Sequence, residues 1–376
     1  MAVGDSYQLP GRGAPVFPVA RPGNLAGGRS SDWPGRVHSR YDLLHVRRGW
    51  RIVEVRSRED SPVFDVDLPE GLVPPGTKAR TAAGVCFLEG PAWHESGDLY
   101  FSDIAGNRIL RMDPEGIVSV FRADSGRTNG NTFDAQGRLI SCEGAEFGKG
   151  GRRRMVRTDL ETGEVQVLTD RFEGKRYNAP NDACVDRRGR IWFTDPYYWI
   201  DRDSLEMGHE SVYCIDGRDV RRVVSQPDIG RPNGLAITPD DKTLYVIDSH
   251  PVEGGNRKIW AFDVADDATL SGQRLVFDFG RGRGGDGMRL DRQGNLWVAA
   301  GVLKSRNPHE TTEVKTGVHV ISPAGKLLGR IPISEDVITN LTFAGPEMKT
   351  LYVTAGKTLF RIETSVSGYS LYPAIA

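Results

Sequence analysis

The chain has 376 residues, with 45 Gly, 22 Pro and a 38% apolar share, the texture of a turn-rich β protein rather than of a disordered one. Its 49 Lys and Arg nearly cancel its 50 Asp and Glu, for a net charge of -1, so no overall field draws in nucleic acid or an anionic membrane. The four cysteines, Cys86, Cys142, Cys184 and Cys214, form no CxxC pair and lie in or near apolar runs, which suits buried thiols better than a zinc site or a disulfide. No stretch approaches the ~18 apolar residues of a membrane span, and the first residues lack an apolar signal core. The expected setting is soluble and cytoplasmic, with a small molecule as partner, no nucleic acid and no membrane; a homodimer stays open.

Residues 1 to about 35 are rich in Gly, Pro, Arg and Ser without periodicity, so they read as an arm. WRIVEVRSRED at 50 to 60 and then SPVFDVDLPEG read as one or two strands or as an extended segment on the main body. Residues 1–84 are therefore expected to form an N-terminal extension and 85–376 the main domain. Two basic runs, GRRRMVR at 151 to 157 and GRGRGG at 280 to 285, read as solvated loops beside turns.

From residue 85 a hairpin repeats: an apolar strand, a turn of the Asp-x-x-Gly or Pro-Asp-Asp-Lys kind, then a strand of aromatic and β-branched residues. The copies are GPAWHESGDLYFSD, NGNTFDAQGRLISCE, NDACVDRRGRIWFTD, NGLAITPDDKTLYVID, DGMRLDRQGNLWVAA and NLTFAGPEMKTLYVTA. After most of them comes a further alternating stretch, such as RILRMDPEG or KIWAFDVADD, so each unit supplies about four strands, the content of one propeller blade. Trp192 and Trp297 fall at matching points of their hairpins and are expected in the core. Registered on the residue at the head of each unit, Glu89, Asn129, Asn181, Asn233, Asp286 and Asn340 are separated by 40, 52, 52, 53 and 54 residues. Six units of that size without a long helical pattern predict an all-β fold, a six-bladed β-propeller with an N-terminal extension.

In such a ring, equivalent positions of successive blades surround one channel, so the six heads are expected to converge at one end. Two carboxylates and four amides are oxygen donors of the kind a hard divalent cation takes. Asn-Gly and Asp-Gly are also turn formers, and for any single Asn that plainer reading is the stronger. For the set it is weaker, because turn chemistry does not require Glu89 before Gly90-Pro91, nor heads that coincide with strand starts.

FLEGPAW, APNDACVD, RPNGLAI and GGDGMRLD resemble the four signatures of the SMP-30/gluconolactonase/luciferin-regenerating-enzyme family of metal-dependent propellers, and DRFEGKRYNAPNDACVDRRGRIWFTDPYY resembles its bacterial gluconolactonase branch. The resemblance covers about residues 85 to 364. It implies that Glu89, Asn233 and Asp286 hold one divalent ion, with Asn181 as a further ligand or a contact to water or substrate. Ca²⁺ is the expected ion, with Mg²⁺, Mn²⁺ and Zn²⁺ as alternatives. It implies hydrolysis of a small lactone, with Glu89 and Asp286 as the catalytic carboxylates and Asp286 taking the proton of the attacking water. Asn129, Asn178, Tyr197, His250 and Arg289 are the expected substrate contacts, with Trp93 and Tyr198 beside them on the pocket rim; His250 reads equally as a hydrogen-bonded loop residue. The chain departs from the pattern in two places: Ala179-Pro180 stands where some members carry an arginine, and Cys142-Glu143 where bacterial relatives tend to carry a Glu-His pair. Two other readings stay open, a metal-steered lyase, isomerase or cyclase using the same pocket and a non-enzymatic binding scaffold.

Overall fold

The alternating hairpins fold into six antiparallel sheets arranged in a ring. A computed structural model describes residues 52–53, 64–65, 68–69, 71–84, 87–145, 151–198, 205–250, 253, 257–305 and 309–373; the expected arm at 1 to about 35 and Cys86 lie outside them. All described residues fall within one compact unit, Gly49–Ala376. Blade one holds Leu88–Trp93, Leu99–Asp103, Arg108–Met112 and Val118–Ala123, with Ile52–Val53 added at its outer edge. Blades two to five begin with the inner strands Thr128–Phe133, Ala183–Val185, Pro232–Ile237 and Gly285–Leu290, each followed outward by three strands in chain order. Among the described residues no helix is long and apolar enough to cross a membrane.

Blade six is built from both ends of the repeat region. Ile338–Ala344, Thr350–Ala355 and Thr358–Glu363 run outward, and the fourth strand, Lys78–Gly84, pairs antiparallel with Thr358–Glu363 and carries Phe64–Asp65 on its far side. Residues 78–84, which the sequence assigns to the extension, thus supply the strand that the chain runs out of after Glu363. The physical reason is edge cover: a three-stranded last blade would expose an unpaired row of N–H and C=O groups. The inner strands touch one another in cyclic order, Ile338–Ala344 meeting Leu88–Trp93 to close the ring.

The hairpin turns explain why the repeat is so regular. Asp186 Oδ1 accepts the N–H groups of Arg188 (3.0 Å) and Arg190 (2.9 Å), and Asp291 Oδ1 those of Gln293 (2.8 Å) and Asn295 (2.9 Å). The other carboxylate oxygen takes the indole N–H of Trp192 (3.0 Å) or Trp297 (2.9 Å). Each aspartate so ties its turn to a fully buried tryptophan, as the matched positions predict. Between blades, Trp297 meets Phe343 edge-on at 5.3 Å, and each such buried aromatic contributes about 1.5–3 kcal/mol relative to exposure. Cys142 and Cys214 are buried and Cys184 is half-buried.

The GRRRMVR run is not a solvated loop. Arg152, Arg153 and Arg154 are half-buried, and Arg154 Nε and Arg122 Nη2 both donate to the fully buried Glu143, at 2.6 and 2.7 Å.

Candidate functional site

The six heads open the six inner strands. Glu89, Asn129, Asn233 and Asp286 are second residues of their strands, Asn340 is the third, and Asn181 lies two residues before Ala183–Val185. In five blades the pairing with the next strand shifts register at that point, between Glu89 and Ala92, Thr128 and Asn131, Pro232 and Leu235, Gly285 and Met288, and Ile338 and Asn340. Such irregularities turn a side chain out of the regular pleat. All six heads are buried, 2–4% exposed.

The glycine after a head has a packing role, and at Gly90 it also takes a left-handed φ of +46°. A Cβ on Gly130 would lie 2.5 Å from the carbonyl oxygen of Asn181, and one on Gly234 would overlap that of Asp286. Gly90 and Gly287 stand in the same way against Asn129 and Asn340. These four heads, Glu89, Asn129, Asn233 and Asp286, can therefore approach the next blade only because their followers have no side chain. Hydrogen bonds mark the closeness: Gly130 N–H donates to Asn181 O at 2.6 Å, and the Asn131 amide to Gly90 O at 2.9 Å.

The side chains form one polar cluster. The Asn233 amide nitrogen donates to Asp286 Oδ1 at 2.7 Å and to the Tyr198 hydroxyl at 2.6 Å, which leaves its Oδ1 as the group turned from both. Asp286 Oδ2 accepts Arg283 Nη2. The Asn340 amide nitrogen donates to Asp182 Oδ2 at 3.2 Å; blades three and six are opposite in a six-blade ring, so this bond crosses the channel. Glu89 Oε2 accepts the Gly90 N–H at 2.9 Å. Burial raises the Glu89 carboxyl well above its ordinary value, and the charges of Asp286 and Asp182 push it the same way. Burial also raises Asp286, against the pull of Arg283 and Asn233, and Asp182, against the pull of Arg289.

The other expected contacts divide between two places. Tyr198 is the tyrosine whose hydroxyl meets the ring of heads; its neighbour Tyr197 is buried and donates its backbone N–H to Glu210 at 2.8 Å. Asn178 is fully buried, and its amide nitrogen donates to the carbonyls of Asp195 (3.2 Å) and His209 (2.8 Å), so it holds the loop together. His250 packs on Gly230 and donates its N–H to Asp248 Oδ1 at 3.2 Å. Trp93 and Arg289 line a cavity of about 70 Å³ at the tail ends of the inner strands, the opposite end from the heads, and Arg289 Nη1 reaches 3.5 Å from Asp182 Oδ2.

Two site residues escape the sequence reading. Asp182 follows Asn181 where four other heads are followed by glycine, and that break in the pattern is the available signal. Arg283 lies in the GRGRGG run, expected to be solvated; it is instead half-buried on Asp286.

Among the described residues no group of three or more His, Cys, Asp and Glu side chains is arranged to hold a metal ion, so any cation here must take amide oxygens as well as carboxylates. The donor set fits that demand. Asn129 Oδ1 is buried without a hydrogen-bond partner, an acceptor whose burial goes uncompensated. Glu89 and Asp286 repel each other in a buried site, the situation that a cation between them relieves.

Comparison with known proteins agrees with this geometry. The family model of the SMP-30/gluconolactonase/LRE-like region matches residues 87–357. The gluconolactonase of Zymomonas mobilis is 29% identical over 344 residues, covering 85% of this chain and 87% of that protein. The pentonolactonase XacC of Haloferax volcanii is 26% identical over 283 residues, 74% of this chain and 84% of its own length. Among solved structures, a gluconolactonase from Xanthomonas campestris superposes with a TM-score of 0.69 at 31% identity, over 83% of this chain and all of that one. The chain belongs to the SMP-30/gluconolactonase/LRE-like family.

Proposed function

We propose that the protein is a hydrolase that opens a small lactone with the help of one divalent cation, Ca²⁺ by preference, held by Glu89, Asn233 and Asp286 with Asn181 beside them. The observation that carries this reading is the buried cluster at the heads: two carboxylates and several amides from different blades, with an unpartnered acceptor on Asn129. Relatives named gluconolactonase and pentonolactonase support the choice of a lactone as substrate.

A bound divalent cation supplies a Lewis acid for the substrate carbonyl and positive charge for the oxygen that becomes anionic. The chain's own groups do the rest. Asp286, a buried carboxylate of the cluster, accepts the proton of the attacking water. Asn233 is held by Asp286 and Tyr198, so its carbonyl oxygen is aimed before substrate arrives. Sugar hydroxyls find the amides of Asn129 and Asn340 around the same channel.

The test is lactone hydrolysis followed by acid release for purified protein, before and after chelation. The expected result is turnover of a hexono- or pentonolactone that chelation removes and Ca²⁺ restores. Undiminished turnover in the chelated protein would overturn the cation's part, and no turnover of any lactone would overturn the substrate class.

A further inference from the structure

We propose that Arg283 is a displaceable counter-ion, holding Asp286 while no divalent cation is bound and turning to the carboxylate of a hydroxy acid once one is. The inference rests on the cation site of the proposed function. It adds a second ligand class, a monoanionic hydroxycarboxylate, and a residue that recognises it.

The first support is how poorly Arg283 is matched to its present partner. Its Nη2 donates to Asp286 Oδ2, while its Nε is buried with no hydrogen-bond partner. A guanidinium edge offers Nε and Nη2 side by side, a fork that fits both oxygens of one carboxylate. Elsewhere in this protein that fork is filled: Arg231 engages Glu210 through Nε at 2.9 Å and Nη2 at 3.3 Å. Asp286 does not fill it for Arg283: its Oδ2 takes Nη2, and its Oδ1 accepts the Asn233 amide. One tine of the fork thus stands idle inside the pocket, at the cost of a buried unsatisfied donor.

The second support is competition for one oxygen. A cation ligated by Asp286 through Oδ2 would meet the Arg283 guanidinium there as a like charge. Arg283 lies between Gly282 and Gly284, ahead of the strand Gly285–Leu290, and its side chain is 23% exposed. It is therefore placed at the edge of the cluster, where it can leave Asp286 without unpacking the core. Tyr198 and Glu310 face it along with Asp286, and Arg257 lies near enough to both Glu310 and Arg283 to feel their charges.

The third support is charge. With every carboxyl ionised, Glu89, Asp182, Asp286 and Glu310 face Arg283, Arg289 and Arg257, which leaves one negative charge. A divalent cation turns that into one positive charge, and a monoanion then neutralises the buried site. Lactone opening yields a hydroxycarboxylate, the anion that fits this balance.

Isothermal titration of the chelated full-length protein with Ca²⁺, with and without gluconate, tests the proposal independently of turnover. In the wild type, gluconate is expected to tighten Ca²⁺ binding about tenfold. Arg283→Gln is expected to bind Ca²⁺ about tenfold more tightly on its own, with no further gain from gluconate. Arg283→Lys, which keeps the charge without the fork, should retain wild-type Ca²⁺ affinity and lose most of the gluconate effect; it carries the test if the Gln variant does not fold. Equal Ca²⁺ affinity in wild type and Arg283→Gln, or an equal gluconate effect in both, overturns the proposal while leaving the cation site standing. A wild type that takes up no cation overturns both.

Discussion

The two ends of the channel are made by the same six strands and could hardly differ more. At the head end stand Glu89, Asn129, Asn181, Asn233, Asp286 and Asn340, joined by Asp182 and Arg283. At the tail end the same strands carry Trp93, Phe133, Val185, Ile237, Leu290 and Phe343 as last or next-to-last residues, all buried. The C-terminal segment closes that end: Tyr369 N–H donates to Leu290 O at 2.8 Å, and the Tyr372 hydroxyl meets His94 Nε2 at 2.9 Å. A strand of about six residues is long enough to separate packing from chemistry. The ring is stabilised at one end by apolar burial, which lets the other end gather groups that repel.

That division can be broken at either end. The largest expected effect comes from Asp286→Asn, which should lower lactone hydrolysis by about 10²–10⁴-fold and weaken Ca²⁺ binding, while circular dichroism shows an intact propeller. Loss of the fold instead would mean that the head end also carries stability. The converse change, Phe343→Ala, should cost about 3–5 kcal/mol in denaturant unfolding and leave Ca²⁺ affinity as it was; a parallel loss of affinity would show that the ends are not separable. Tyr198→Phe should act on the head end alone. It removes the acceptor of one Asn233 amide bond, worth about 0.5–1.5 kcal/mol, so Ca²⁺ affinity should fall by no more than about tenfold and the melting temperature by only a few degrees.

The smallest effect is in the pH dependence. Burial and neighbouring carboxylates raise Glu89 above its ordinary ~4.3. Without a cation the folded protein therefore keeps a proton that the unfolded chain has released. Stability present below about pH 4 is lost as the pH rises through the raised folded-state value. With chelator present, the melting temperature of the wild type should fall more steeply than that of Glu89→Gln as the pH rises above about 4. Parallel curves would contradict the assignment.

What could be read from the sequence follows from what repeats. The number of blades and the heads are legible because a fixed spacing places one polar residue at each strand start. Trp192 and Trp297 are legible because each hairpin ties its tryptophan to its turn aspartate. Trp93 and Arg289 stand toward the tails of their strands, with Arg289 reaching back to Asp182, and a motif quoted without its place along the strand does not show this. The strand Lys78–Gly84 is missed because its pairing with Thr358–Glu363 joins distant parts of the chain, and KARTAAG has little strand character of its own. Arg283 is hidden by its glycines: a Gly-Arg alternation reads as loop, and only the fold brings it to Asp286.

The central claim is that a divalent cation sits among the heads. Crystals of the protein soaked in Mn²⁺ and measured at an anomalous wavelength test it directly. The account predicts one strong anomalous peak within ligand distance of Glu89, Asn233 and Asp286. A map with no peak there, or with its peak among surface carboxylates, would contradict it.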